Sequence, residues 1–156
     1  MAGTANQNDT TYQNVNFHFR VNFNFNPEAD VAFQSVTGLD SVLETESVKE
    51  GGENRFTHVI PVRRKYGPLL LKRGIVSPNA SQLTAWLKCA FDNEKVKPRD
   101  TVIVTLLNES HKPLMHWKIN NVWPLSWKVG ELNAETGNVL IETLELNYNI
   151  LILDNL

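Results

Sequence analysis

The sequence predicts a mainly β chain: a single β-rich α+β domain, folded as a small barrel or sandwich, with one flanking α-helix and a long extended hairpin. Three observations carry this. Val15, Phe17, Phe19, Val21, Phe23 and Phe25 fall on every second position, with polar residues between them, which is the period of a strand with one buried face. Leu83, Trp86, Leu87, Ala90 and Phe91 repeat at i, i+3, i+4, i+7 and i+8, the apolar stripe of one helix. Val42–Val48 and Phe56–Arg63 are β-like runs around the polar, glycine-containing segment Glu50-Gly51-Gly52-Glu53-Asn54, which predicts a hairpin with a polar tip.

The remaining elements follow in chain order. Residues 1–14 are rich in Asn, Gln and Thr and read as a flexible arm ahead of a domain over 15–156. Asn26-Pro27 ends the first strand, and Val31–Val36 is a short second one, interrupted by Gly38. Pro61 has no N–H for a ladder, so the hairpin's second strand is expected at an edge or bulged there. Leu69–Val76 is a strand, and Ser77, Asn79 or Ser81 caps the helix after it. Thr101–Leu107 and Leu114–Val122 pair through the turn Asn108–Pro113. Trp123–Asn138, with Pro124, Gly130 and Gly137, reads as irregular. Asn138–Asn149 is the last long strand; its apolar phase moves from Val139 and Ile141 to Leu144, Leu146 and Tyr148, which predicts a bulge. Ile150–Leu156 is an apolar tail.

Composition removes several classes of function. A net charge of -2 supplies no field toward nucleic acid or anionic membrane. The single cysteine, Cys89, forms no internal disulfide and is expected to pack as an inert thiol. The polar start has no apolar core of a secretory signal, and no run reaches the roughly 20 apolar residues of a membrane span. Synthesis in the cytoplasm is expected, with later release as part of a particle compatible with it.

No reaction is expected. His18, His58, His111 and His116 are scattered without a ligand set, so no metal and no cofactor is implied. Glu142 and Glu145 lie three apart in one strand and point to opposite faces unless the expected bulge realigns them. Glu142, set among apolar residues, needs a buried basic partner such as Arg73. Trp86 and Trp117 belong to apolar faces, which removes the aromatic platform of a nucleic-acid reader. Glu44, Glu46, Glu50 and Glu53 form an acidic cluster; Arg63, Arg64, Lys65, Lys72 and Arg73 form a basic one. These two clusters read either as complementary assembly patches or as ordinary solvated faces.

Several segments, in order, resemble the tail-tube proteins of T4-like phages and related contractile injection systems. They are Phe17-His18-Phe19-Arg20-Val21, Phe33-Gln34-Ser35-Val36-Thr37-Gly38-Leu39 and Glu50-Gly51-Gly52-Glu53-Asn54-Arg55-Phe56. Leu71-Lys72-Arg73-Gly74, Trp86, Leu106-Leu107-Asn108-Glu109 and Trp117 follow. Trp123-Pro124-Leu125-Ser126-Trp127 and Ile141-Glu142-Thr143-Leu144-Glu145-Leu146 complete the set. The resemblance implies a structural subunit that forms hexameric rings, which stack into a hollow tube inside a contractile sheath. It implies partners among other tube subunits, baseplate hub and spike proteins and sheath proteins, with no specific nucleic-acid or membrane binding. The tip Gly51–Phe56 is most similar to tube-initiating subunits beside the baseplate; the repeating shaft subunit is the alternative. The implied inter-subunit contacts are Glu44, Glu46, Glu50, Gly51, Gly52, Glu53, Asn54 and Arg55 on the hairpin, with Arg63, Arg64, Lys72 and Arg73. A competing reading from another class is a small β-barrel that carries an apolar ligand in an unfilled interior.

Overall fold

The computed structural model describes residues 19–24, 32–48, 52, 58–92, 96–133, 135 and 137–155. The expected arm over 1–14, the first strand's flanks at Val15–His18 and Phe25, and most of the hairpin tip lie outside them. The elements are β1 Phe19–Phe23, β2 Ser35–Thr37, β3 Ser41–Val48, β4 His58–Tyr66, β5 Leu69–Gly74, α1 Gln82–Asp92, β6 Arg99–Leu107, β7 Pro113–Val129, β8 Ile141–Asn147 and β9 Ile150–Asn155. This is the mainly β architecture with one helix and a long hairpin.

β7 joins two antiparallel halves. Its first part pairs β6 on one side and β9 on the other, and β1 lies outside β6. Its second part, from Trp123, pairs β8, followed by β5 and then β2. The inward faces of both halves meet α1 in one core. Val21, Phe23, Val102, Val104 and Ile119 come from the first half; Leu69, Leu71, Leu144 and Leu146 come from the second; Leu83, Trp86 and Leu87 come from the helix.

Three expectations change here. Trp123–Asn138 is not irregular at its start: β7 runs through Val129 despite Pro124. Asn121 adopts a left-handed φ of 61°, a conformation asparagine tolerates, and the buried positions move from Ile119 to Val122 and Pro124. The register breaks again between Pro124 and Ser126, leaving Leu125 extruded and half exposed. A proline without an N–H fits at such a bulge. The phase shift therefore belongs to β7 and not to β8, where Glu142, Leu144, Leu146 and Tyr148 alternate inward without interruption. The apolar tail is also more than a tail, since β9 pairs with Met115–Asn120.

The helix forms where its spacing predicts. Ser81 caps it: the Ser81 hydroxyl accepts the Thr84 N–H at 3.2 Å. Leu83, Thr84, Trp86, Leu87 and Ala90 are buried, whereas Phe91 at the last turn is 44% exposed. Cys89 lies on the exposed side of the helix and is not packed as expected.

Candidate assembly interface

Segments far apart in the chain meet at one buried point. Arg73 (3% exposed) and Glu142 (fully buried) face each other across β5 and β8. Arg73 Nε donates to Glu142 Oε1 at 2.5 Å. The other Glu142 oxygen accepts Trp127 Nε1 at 2.8 Å. Arg73 Nη2 donates to Thr84 Oγ1 at 2.6 Å and to Ser81 Oγ at 3.2 Å, and the guanidinium lies 5.7 Å from the Phe33 ring centroid. A buried ion pair is tolerated when its remaining donors and acceptors are satisfied in this way. The network fastens the N-terminus of α1 to the sheet. Arg73 therefore does not belong to an exposed contact patch, and the expected pairing of Glu142 with Arg73 is what the fold uses. Glu145 points to the other face and accepts the Ser126 hydroxyl at 2.7 Å, so the two carboxylates share no site.

The accessible candidate surface is the β3–β4 hairpin. Every residue of its two strands is exposed except Glu44 and Tyr66, which are half-buried. Its root is built into the core. Tyr66 packs on Tyr148 with ring centroids 5.5 Å apart, and the Tyr148 hydroxyl donates to the Gly38 carbonyl at 3.0 Å. Gly38 has φ of 90°, and a Cβ there would lie 2.0 Å from the Pro68 carbonyl oxygen, so only glycine fits. Desolvation, reinforced by the charge of Asp40 and by Tyr66, pushes the Tyr148 hydroxyl up to about 12.

Beyond the root, the hairpin stands away from the body of the fold. Val42, Leu43, Val59, Ile60 and Val62 are each at least half exposed. The ladder shifts between Glu44 and Thr45, opposite Pro61, so of the edge or bulge expected at that proline a bulge is present. The acidic and basic clusters do not form two separate patches. Glu44 sits opposite Arg63 and pairs with it, with Lys65 at 3.6 Å. The Arg63 hydrogen bond holds the Glu44 carboxyl below its usual range, and Glu44 raises Arg63 in turn. Part of the charge complementarity is thus consumed within one arm. Glu46 and Arg64 are exposed on opposite faces of that arm, and Lys72 is exposed on the outward face of β5. Gly52 holds a φ of 104° at the tip; Glu50, Gly51, Glu53, Asn54 and Arg55 lie outside the described residues.

His116 faces Asp154 across β7 and β9 at 3.7 Å, and no group of three or more metal-ligating side chains occurs among the described residues. No helix among them is long and apolar enough to cross a membrane. Sequence reasoning missed Trp127, Ser81 and Thr84 as partners of the ion pair. The parity of Glu142 with Leu144 and Leu146 was the available signal for a buried carboxylate.

A two-half β domain with one docked helix and a protruding, apolar-bearing hairpin is the fold of the tube-protein class. The chain belongs to the T4-like virus tail tube protein gp19 family, whose pattern it matches over residues 15–151. A chain of the anti-feeding prophage baseplate, from a 6-fold symmetrised cryo-EM structure, is similar at 33% identity, with a TM-score of 0.81 over 93% of this chain and 97% of that one. A chain of the anti-feeding prophage tube-terminating cap superposes with a TM-score of 0.79 at 22% identity, covering 100% of both. A chain of the PVC sheath-tube complex, an extracellular contractile injection system, superposes with a TM-score of 0.78 at 20% identity, covering 99% of this chain and 100% of that one. The last two likenesses concern the fold. None of the curated proteins matches.

Proposed function

We propose that this chain is a non-enzymatic building block of the inner tube of a contractile injection particle, and that it initiates the tube beside the baseplate. The observation that carries the assembly reading is the β3–β4 arm. A two-stranded hairpin is marginal in water by itself, yet this one holds large apolar side chains in solvent on both strands. A partner surface that covers them accounts for both facts. Rings need heterologous contacts, one patch meeting a different patch on the neighbour. Among the described residues, β1 and β9 are the outermost strands at opposite edges of the first half, and sheet edges are natural joints between subunits. β9 also exposes Ile150, Ile152 and Leu153, and Asn22 Oδ1 on β1 is buried with no hydrogen-bond partner among the described residues. Edge-to-edge joining of six copies gives a closed ring around a lumen.

The initiating role draws support from the baseplate chain at 33% identity, against 20–22% for the sheath-tube and cap chains. Other tube subunits, baseplate hub and spike proteins and the sheath are the partners this role entails. Release in an extracellular particle and the absence of any cofactor belong to the same proposal. The carrier reading has no specific observation in its favour.

The test is an immunolabelled particle viewed by negative stain. Label confined to the baseplate end of the tube is expected. Label along the whole tube assigns the chain to the shaft. Only monomers by light scattering, even when tube and baseplate proteins are co-expressed, sinks the assembly reading.

A further inference from the structure

The two faces of the first half differ in kind. The inward face is covered by α1 and the second half. On the outward face, register places Arg20, Thr105, His116 and Asp154 in one row across β1, β6, β7 and β9. The next row is Asn22, Ile103, Lys118 and Ile152. Neither row holds a Phe, Tyr or Trp. When the edges of this half join copy to copy, the covered face has to take the outside of the ring, where α1 and the second half have room. The outward face then lines the lumen. Six copies of a four-strand face, at ~4.8 Å per strand, enclose a bore about 37 Å across between backbones.

A cleft of about 360 Å³ opens on this face, and Asn22, Asn24, Thr101, Ile103 and Lys118 line it. Asn22 Oδ1 is buried there and has no hydrogen-bond partner among the described residues. Thr101 gives its hydroxyl to Asn120 Oδ1 at 3.2 Å and so supplies no donor to Asn22. Backbone pairing at a joint engages backbone groups and leaves this side-chain acceptor to another donor. A buried acceptor without a donor carries a desolvation cost that a ligand N–H removes. Lys118 is exposed in the same row, with Ile103 between it and Asn22. It pairs with no described carboxylate, since Asp154 on this face meets His116 instead. The matching ligand has an N–H for Asn22, a negative charge for Lys118 and an apolar stretch over Ile103. A peptide unit bearing an acidic side chain has all three. A phosphate has no N–H, and the two rows offer a base no aromatic platform.

We propose that this cleft binds an extended acidic polypeptide inside the lumen. A peptide N–H donates to Asn22 Oδ1, a Glu or Asp carboxylate pairs with Lys118, and aliphatic carbons lie on Ile103. Neighbouring clefts in the ring stand about 19 Å apart, which roughly six extended residues span, so one chain engages several of them. This rests on the assembly reading above and adds what the lumen wall holds.

Fluorescence anisotropy with assembled rings tests it. The probe is a labelled peptide of alternating Glu and Ala, long enough to span two clefts. A Lys–Ala peptide of equal length and a single-stranded oligothymidylate are the controls. The Glu–Ala peptide is expected to bind the rings about tenfold or more tighter than the isolated chain. Lys118 stands on β7, an inner strand away from both joints. Lys118→Glu is therefore expected to leave the rings intact in negative stain and to weaken binding about tenfold or more, whereas Lys118→Arg keeps it. Asn22→Leu is expected to weaken binding while the melting temperature of the isolated chain stays the same or rises, because the variant removes an acceptor that has no donor. Intact rings that bind either control as tightly as the Glu–Ala peptide overturn the site and leave the assembly reading standing. Binding unchanged by Lys118→Glu does the same. Equal affinity of rings and isolated chain overturns the place in the lumen, and a lowered melting temperature for Asn22→Leu makes Asn22 a packing residue and overturns its part. Absence of rings from the unmodified chain, even when co-expressed with tube and baseplate proteins, overturns the assembly reading and this site together.

Discussion

At the scale of single residues, Arg73 and Glu142 show how a charge becomes part of a core. Each is buried, and each is saturated by the other together with Trp127, Ser81 and Thr84. Removing one member strands the other. Glu142→Ala is expected to cost about 3–5 kcal/mol in urea unfolding. The double replacement Arg73→Met with Glu142→Leu is expected to recover much of that loss, because the packed volume returns without the unpaired charge. A double variant as unstable as the single one would show that the network's geometry, and not charge burial, dominates. Tyr148 gives a pH prediction. Its hydroxyl titrates near 10.0 in an unfolded chain and near about 12 in the fold. A raised pKa contributes stability that is complete below the unfolded value and is lost as pH climbs through the folded one. Stability is therefore expected to fall between about pH 10 and 12. Tyr148→Phe should flatten that fall while losing one hydrogen bond of about 0.5–1.5 kcal/mol. Melting temperature against pH for both chains measures it.

At the scale of elements, the first strand and the helix were legible because their periods differ and each has one buried face. Phe19, Val21 and Phe23 do turn inward, but unequally: Phe23 is 1% exposed, whereas Phe19 is partly buried beside Val36 and Trp117 at an open cleft. Phe23→Ala is expected to cost about 3–5 kcal/mol, and Phe19→Ala distinctly less. Equal shifts of the urea midpoint would contradict this burial. β7 was the least legible element. Its alternation breaks at Asn121 and again after Pro124, and each break inverts the apparent face. A pattern read by parity takes such a strand for a strand followed by a loop. β8 was misread because two apolar residues at its start, Val139 at 76% exposure and half-buried Ile141, stand on the outward parity and made an unbroken strand look shifted.

At the scale of the whole molecule, stability and assembly occupy different parts of the chain. The core, the ion-pair network and the arm's root hold the domain, while the arm beyond its root makes little contact with it. Leu43→Ser combined with Val59→Ser is therefore expected to change the stability of the isolated chain by no more than about 0.5 kcal/mol per site. The same variant is expected to fail to stack or to seed a tube. Calorimetry of the subunit and electron microscopy of particles read the two halves of this prediction. Normal tubes at normal yield would remove the arm from the mechanism, and a collapsed melting temperature would place it in the folding core.

The sequence by itself determined the β-rich class, the helix, the hairpin and the family, because each rests on local period or on ordered short segments. It also held the need of Glu142 for a buried basic partner, with Arg73 as a candidate, since a carboxylate among apolar residues needs a cation. Only the tertiary structure decided that Arg73 leaves the surface cluster, that Glu44 and Arg63 neutralise each other within one arm, and that the last residues form β9. It alone aligned Asn22, Ile103 and Lys118 in one row across three strands. Those facts depend on strand register and on which strands become neighbours. Contacts between residues far apart in the chain set both, and a single sequence carries no local signal for them.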